Sequence, residues 1–186
     1  MTGATAGIVL AAGAGTRYGR PKALAREPDG TPWVQRVAGA LTDAGCAPVL
    51  VALGAAGQEA APLVPAGVRV VPVADWADGL GVTLRAALAA VADTSAAAAL
   101  VVPVDVPELP ASVCRRLLAH ASRTALVRAV YDGEPGHPVL IGRDHWAVLA
   151  RTAQGDRGAA DYLRAHAALT VECADLWHGA DVDRPR

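Results

Sequence analysis

Lysine is all but missing from this chain: of 17 Lys and Arg residues in 186, only Lys22 is a lysine. Net charge is −1, so there is no excess of positive charge to draw the protein toward nucleic acid or an anionic membrane. No apolar run approaches the ~20 residues a membrane span requires. No Lys or Arg precedes the N-terminal apolar stretch, so a secretory leader is not expected. Cysteine is scarce: Cys46, Cys114 and Cys173 lie far apart, match neither a metal spacing nor a disulfide framework, and read as small buried hydrophobes. That usage fits a reducing compartment, and the expected location is cytoplasmic. His120, His137, His145, His166 and His178 have no zinc spacing. No serine sits in a glycine elbow, which argues against an α/β-hydrolase.

What is present is an alternation of apolar runs. The chain is 53% hydrophobic and long enough for one large core, so residues 1–186 are expected to form a single domain. Continuous apolar segments at Ile8–Ala12, Pro48–Leu53, Val68–Val73 and Ala98–Pro103 read as strands buried on both faces. Ala125–Tyr131, Val139–Ile141 and Leu169–Cys173 read as further strands. Helical spacing covers Thr31 to near Gly45, Gly79–Ala92 and Pro110–Ala121, with short helices around His145–Arg151 and Ala159–His166. The order predicts an α/β fold: a three-layer Rossmann-like sandwich around a mostly parallel sheet. In such sheets ligands bind beyond the C-terminal strand ends, which singles out the loop after the first strand, Ala74–Gly81 and Asp105.

The first of these loops is GIVLAAGAGTRYGRPKAL, residues 7–24. It is neither a dinucleotide fingerprint, because Tyr18 stands where the third glycine belongs, nor a Walker loop, because Arg20-Pro21-Lys22 follows Gly19. Yet it carries two arginines and the single lysine, a compact charge suited to a phosphate oxygen. The loop, Lys22 included, is expected to face solvent. Asp105, at the end of an apolar run, is either a ligand for a hard cation such as Mg²⁺ or a cap for the helix near Pro110. Gly79, in the turn before a helix, presents backbone donors to an anion or a base edge, unless Asp78 simply caps that helix. Gly155-Asp156-Arg157-Gly158 is a phosphate loop for a second substrate or a surface turn. Asp181 and Asp183 share one face of an extended tail, so either one of them supplies a second metal ligand or the segment is a solvated tail.

Leu10-Ala11-Ala12-Gly13-Ala14-Gly15-Thr16-Arg17-Tyr18-Gly19-Arg20-Pro21-Lys22 resembles the L-A-A-G-x-G-x-R-x-G-x-x-K signature of nucleotidyltransferases. The rest of the chain is similar to the MobA-like branch, especially the molybdenum cofactor cytidylyltransferases. Trp76–Leu88, Asp105-Val106-Pro107, Gly136-His137-Pro138-Val139-Leu140, Gly155–Ala159 and Asp181–Pro185 match its motifs in order. The resemblance implies transfer of a nucleotidyl group from a triphosphate, CTP by the A-A-G pattern, to the terminal phosphate of molybdopterin. It implies a nucleotide cradle at residues 10–16 with Gly79 and Thr83, phosphate neutralisation by Arg17 and Lys22, and Mg²⁺ on Asp105 and Asp183. Gly136, His137, Pro138, Gly155, Asp156 and Gly158 would meet the acceptor. A molybdenum hydroxylase is an implied partner; nucleic acid and membrane are not. Three positions depart from the pattern: Ala74-Asp75 replace an expected asparagine, Val106 replaces a glutamine, and Thr16 follows Gly15 instead of a basic residue. A sugar or polyol phosphate acceptor, or a cofactor-binding chaperone without catalysis, are the alternatives.

Overall fold

The computed structural model of the chain describes residues 3–155 and 158–184. Seven strands form one sheet: β1 (Thr5–Ala11), β2 (Val49–Leu53), β3 (Arg69–Pro72), β4 (Ala98–Pro103), β5 (Leu126–Tyr131), β6 (Glu134–Gly142) and β7 (Leu169–Glu172). Their order is β3-β2-β1-β4-β6-β5-β7. The strands β1, β2, β3 and β4 run parallel, with Ile8 level with Leu50 and with Val101. β6 alone runs antiparallel, to β4 on one side and β5 on the other.

Every residue of β1 and β2 is buried, because helices cover both faces of the sheet. The helices are α1 (Trp33–Asp43), α2 (Gly57–Ala60), α3 (Leu80–Ala92), α4 (Ala111–Leu118), α5 (Arg143–Thr152) and α6 (Ala160–Ala165). Val9, Val51 and Val102 meet Val34, Leu41, Val113 and Leu117 from α1 and α4. On the opposite face Ile8, Leu50 and Ile141 meet Leu84, Leu88, Trp146, Leu149 and Leu163 from α3, α5 and α6. No helix of the described residues is long and apolar enough to cross a membrane. Cys46, Cys114 and Cys173 are free and buried, and burial pushes the Cys46 and Cys114 thiols up to about 12.

The structure departs from expectation at β6, which starts at Glu134 instead of Val139. Asp132 and Gly133, both with positive φ (52° and 82°), make a two-residue turn that pairs Tyr131 with Glu134. Such a turn matches the twist of an antiparallel pair, so the hairpin forms and carries Gly136-His137 inside a strand. Helix α3 begins at Leu80 with Gly79 at its N-cap and no side-chain cap, so Asp78 is not the capping residue.

Candidate functional site

The parallel strands β1 and β4 end side by side, and both run into loops that line one cleft of about 690 Å³. After Ala11 the chain turns at Gly15, where φ is 64°. A Cβ on Gly15 would lie 1.9 Å from the Arg20 carbonyl oxygen, so only glycine lets the loop fold back this closely. Gly19 N–H closes the bend on the Gly15 carbonyl at 2.8 Å. Among the described residues the N–H groups of Gly13, Ala14, Gly15 and Thr16 have no backbone acceptor, leaving a row of donors beside the cleft.

Asp105 follows β4, and the C-terminal segment returns to it. Val182 N–H donates to the Asp105 carbonyl at 2.8 Å, while the Val182 side chain packs on the core. This pairing sets Asp181 and Asp183 on either side, with carboxylate oxygens of Asp105, Asp181 and Asp183 within 4.8 Å of one another. Lys22 lies between them: Nζ donates to Asp105 Oδ2 and to Asp183 Oδ1, each at 3.0 Å. The lysine is therefore not solvent-facing as expected; its side chain is 14% exposed. Burial opposes its charge, but hydrogen bonds and charges of Asp105 and Asp183 outweigh that and raise its pKa. The Lys22 hydrogen bond and charge in turn hold the Asp183 carboxyl below its usual range. The Asp105 Oδ1 atom is enclosed and has no hydrogen-bond partner among the described residues. Three hard oxygen donors, one of them orphaned, fit a hexacoordinate divalent cation such as Mg²⁺ or Mn²⁺.

The remaining site residues fall into three adjoining spaces that meet at Leu10 and Leu80. The main cleft holds Ala11, Gly13–Arg17, Lys22, Asp105, Asp183, Gly136 and His137, with Arg17 exposed to solvent. A chamber of about 330 Å³ joins Ala12, Gly13, Ala14 and Thr16 to Trp76, Gly79 and Thr83. Trp76 can sit there because Gly54 has no side chain: a Cβ on Gly54 would be 2.4 Å from that of Trp76. A third chamber, about 240 Å³, includes His137 and Gly158. Pro138 is buried and lines none of these spaces, nor does Gly155, which is exposed; Asp156 lies outside the described residues.

Two further charged residues face the cleft. One is Asp181, expected only as the alternative to Asp183. The other is Arg128 on β5, whose Nε donates to the Gly136 carbonyl at 3.3 Å. Its signal was available: Val127 and Ala129 face the α1/α4 core, so the alternation of a strand turns Arg128 inward on the other side. Beside it, His137 has an enclosed Nδ1 without a partner. Burial, and then Arg128, push the His137 pKa down to about 4 against the pull of Asp181.

The description "MobA-like NTP transferase domain" matches residues 7–170. A protein from Paenarthrobacter nicotinovorans, named nicotine blue oxidoreductase, is 35% identical over 190 residues, covering 95% of this chain and 91% of that protein. Among solved structures, the homologue of Mycobacterium tuberculosis Rv0371c from Mycobacterium sp. strain JC1 superposes with a TM-score of 0.83 at 28% identity, covering 97% of this chain and 90% of its own. Rv0371c from M. tuberculosis in complex with manganese gives a TM-score of 0.75 at 26% identity, covering 91% and 86%.

Proposed function

This chain belongs to the MobA-like NTP transferase family, and on that premise we propose that residues 1–186 act as one nucleotidyltransferase domain, moving CMP from CTP to the terminal phosphate of molybdopterin or a similar phosphorylated acceptor. The observation that carries the proposal is the joining of a donor-lined glycine loop to Lys22 and three carboxylates in one cleft. The row of N–H groups at residues 13–16 would hold the nucleotide, and Arg17 and Lys22 would neutralise its phosphates. Asp105, Asp181 and Asp183 would hold Mg²⁺, which when bound supplies charge neutralisation at phosphate oxygens. An acceptor phosphate, already ionised, attacks the α-phosphorus in line as pyrophosphate leaves, so the protein's part is positioning and electrostatics. No general base is needed, and His137, with its pKa pushed down to about 4, would be a weak one. A cytoplasmic location fits the three unpaired cysteines, and a molybdenum hydroxylase would receive the product.

The base would occupy the chamber lined by Ala12, where an alanine in place of a glycine would leave less room for a purine. CTP is therefore expected to be used at least ~10-fold better than GTP, about 1.4 kcal/mol in the transition state. The test is pyrophosphate release with each of the four triphosphates, with and without molybdopterin. Release that needs both CTP and the acceptor supports the reading, and equal kcat/KM for CTP and GTP removes the cytidylyl assignment.

A second reading comes from the Paenarthrobacter relative, which is named an oxidoreductase. A reduced dinucleotide would use the same donor row, and hydride transfer would consume it without releasing pyrophosphate. Absorbance of the nicotinamide alongside the pyrophosphate assay separates the two. Binding of CTP and molybdopterin with neither turnover would leave the chaperone role.

A further inference from the structure

After β7 the chain runs from Cys173 to Asp183 without helix or strand, and its start is tightly fastened. The Glu172 carboxylate accepts from the Cys173 and Ala174 N–H groups, both at 2.9 Å, and from those of Asp132 and Gly133 in the β5–β6 turn at 3.2 and 3.1 Å. Arg116 of α4 donates to the Glu172 carbonyl and, through both terminal nitrogens, to the Asp175 carboxylate. Beyond Trp177 the ties thin out. Among the described residues the one backbone–backbone hydrogen bond made by residues 178–183 is Val182 N–H to the Asp105 carbonyl. Yet this stretch brings Asp181 and Asp183 up to Asp105. The contact that spans the gap is Tyr131, buried at the end of β5.

The Tyr131 ring packs directly on two stretches of backbone. A Cβ on Gly179 would lie 2.3 Å from its Cδ2, and one on Gly136 2.6 Å from its Cε2, so neither position has room for a side chain. The Tyr131 hydroxyl donates to the His137 carbonyl at 2.6 Å, and Trp177 stands nearly perpendicular to the ring, 5.5 Å between centres. Tyr131 itself lines none of the three spaces, whereas Gly136, His137 and Gly179 all line the main cleft. A side chain without access to a ligand acts only through what it touches. Ordering an irregular segment costs conformational entropy that contacts must offset, and a rigid aromatic ring supplies much contact area in one place. We propose that Tyr131 is a positioning residue for the divalent cation: its ring seats Gly179 and so fixes where the following residues present Asp181 and Asp183. This rests on the reading above, in which Asp105, Asp181 and Asp183 hold the ion. Groups that orient metal ligands are typically worth about 10–100-fold in metal affinity.

The test pairs a measurement with metal and one without. Mn²⁺ alone is titrated into the whole protein by electron paramagnetic resonance, and hydrogen exchange of the Val182 amide is followed in the metal-free protein. Tyr131→Ala should weaken Mn²⁺ binding by ~10-fold or more and speed exchange at Val182. Tyr131→Phe, which keeps the ring and loses the hydroxyl, should match the wild type in both. Val91→Ala, a cavity in the opposite core, should lower Tm and leave both readouts unmoved, which separates positioning from a general loss of stability. If Tyr131→Ala does not fold, Gly179→Ala reads the same contact from the other side: its Cβ drives the segment off the ring, and Mn²⁺ should weaken likewise. Unweakened Mn²⁺ binding or unchanged Val182 exchange in folded Tyr131→Ala, or a Tyr131→Phe as impaired as Tyr131→Ala, overturns the assignment. The two ideas also fail separately. A wild type that binds no Mn²⁺, with Val182 still freed by Tyr131→Ala, removes the metal reading and leaves Tyr131 as the fastening of the segment. Wild-type Mn²⁺ binding that no Tyr131 variant disturbs removes Tyr131 and keeps the metal.

Discussion

Lys22→Met keeps the length and the stem of the lysine and removes its charge from between Asp105 and Asp183. Each Nζ–oxygen contact is 3.0 Å, worth about 5 kcal/mol of gross attraction at an effective dielectric near 20. Most of that is offset by desolvation and side-chain ordering. The Asp183 side chain is 52% exposed, so its share is screened to under about 1 kcal/mol. The Asp105 contact, 14% and 21% exposed on its two sides, contributes more. A net loss of about 2 kcal/mol is expected, or about 4–8 °C in Tm for a chain of this size. The variant also leaves three carboxylates facing one another with no cation among them. Mg²⁺ should consequently stabilise Lys22→Met more than the wild type, in which the ion competes with the ammonium for the same oxygens. Turnover should fall by ~10²-fold or more, since the ammonium is then missing from the leaving pyrophosphate. The assay is thermal unfolding with and without Mg²⁺, beside single-turnover kinetics. An unchanged Tm, or an equal Mg²⁺ shift in both proteins, would refute the ion-triad reasoning. An unchanged turnover would remove Lys22 from the mechanism.

Gly15→Ala should cost about 2–3 kcal/mol in urea unfolding, from a left-handed φ and a clash with the Arg20 carbonyl. Gly13→Ala, with no atom within 4 Å of the added Cβ, should cost nothing measurable in the same assay and instead weaken CTP binding. Asp105→Asn should lower apparent Mg²⁺ affinity and rate together; full rate at ordinary Mg²⁺ would make Asp105 structural. For His137, whose folded pKa of about 4 lies below its ordinary value, the unfolded chain takes up the proton first. Stability should thus fall as pH drops from about 6.5 toward 4, by a few kcal/mol at most, and be unaffected above that window. The check is a flatter pH–stability curve in His137→Gln, with no His137 titration in NMR between about pH 6 and 8.

Strands β1, β2 and β4 were legible to within three residues because burial on both faces demands unbroken apolar runs. β6 was not, since Glu134, Pro135 and Gly136 carry no strand propensity and are held by pairing with β5. Asp132-Gly133 was a readable hairpin signal for that pairing, and it was missed. The glycine loop was readable because its chemistry is local. The environment of Lys22 was not, because its partners lie 83 and 161 positions away and reach it only through the β4 end and the returning tail. The same distance explains why one carboxylate of the tail was expected at the site and two are present.

What sorts the cations of the cleft is their counter-charge. Arg17 is exposed, Lys22 is held by carboxylates that a metal would claim, and Arg128 has no carboxylate partner among the described residues. Asp105, Asp181 and Asp183 would hold a divalent ion if one were bound, and Lys22, released from Asp105 and Asp183, would then be free to meet phosphate oxygens. Arg128, on β5, lines both the main cleft and the smaller chamber. Of the departures from the nucleotidyltransferase pattern, Thr16 lies in the glycine loop and Val106 beside Asp105 in the same cleft, while Arg17, Lys22 and Asp105 themselves are kept.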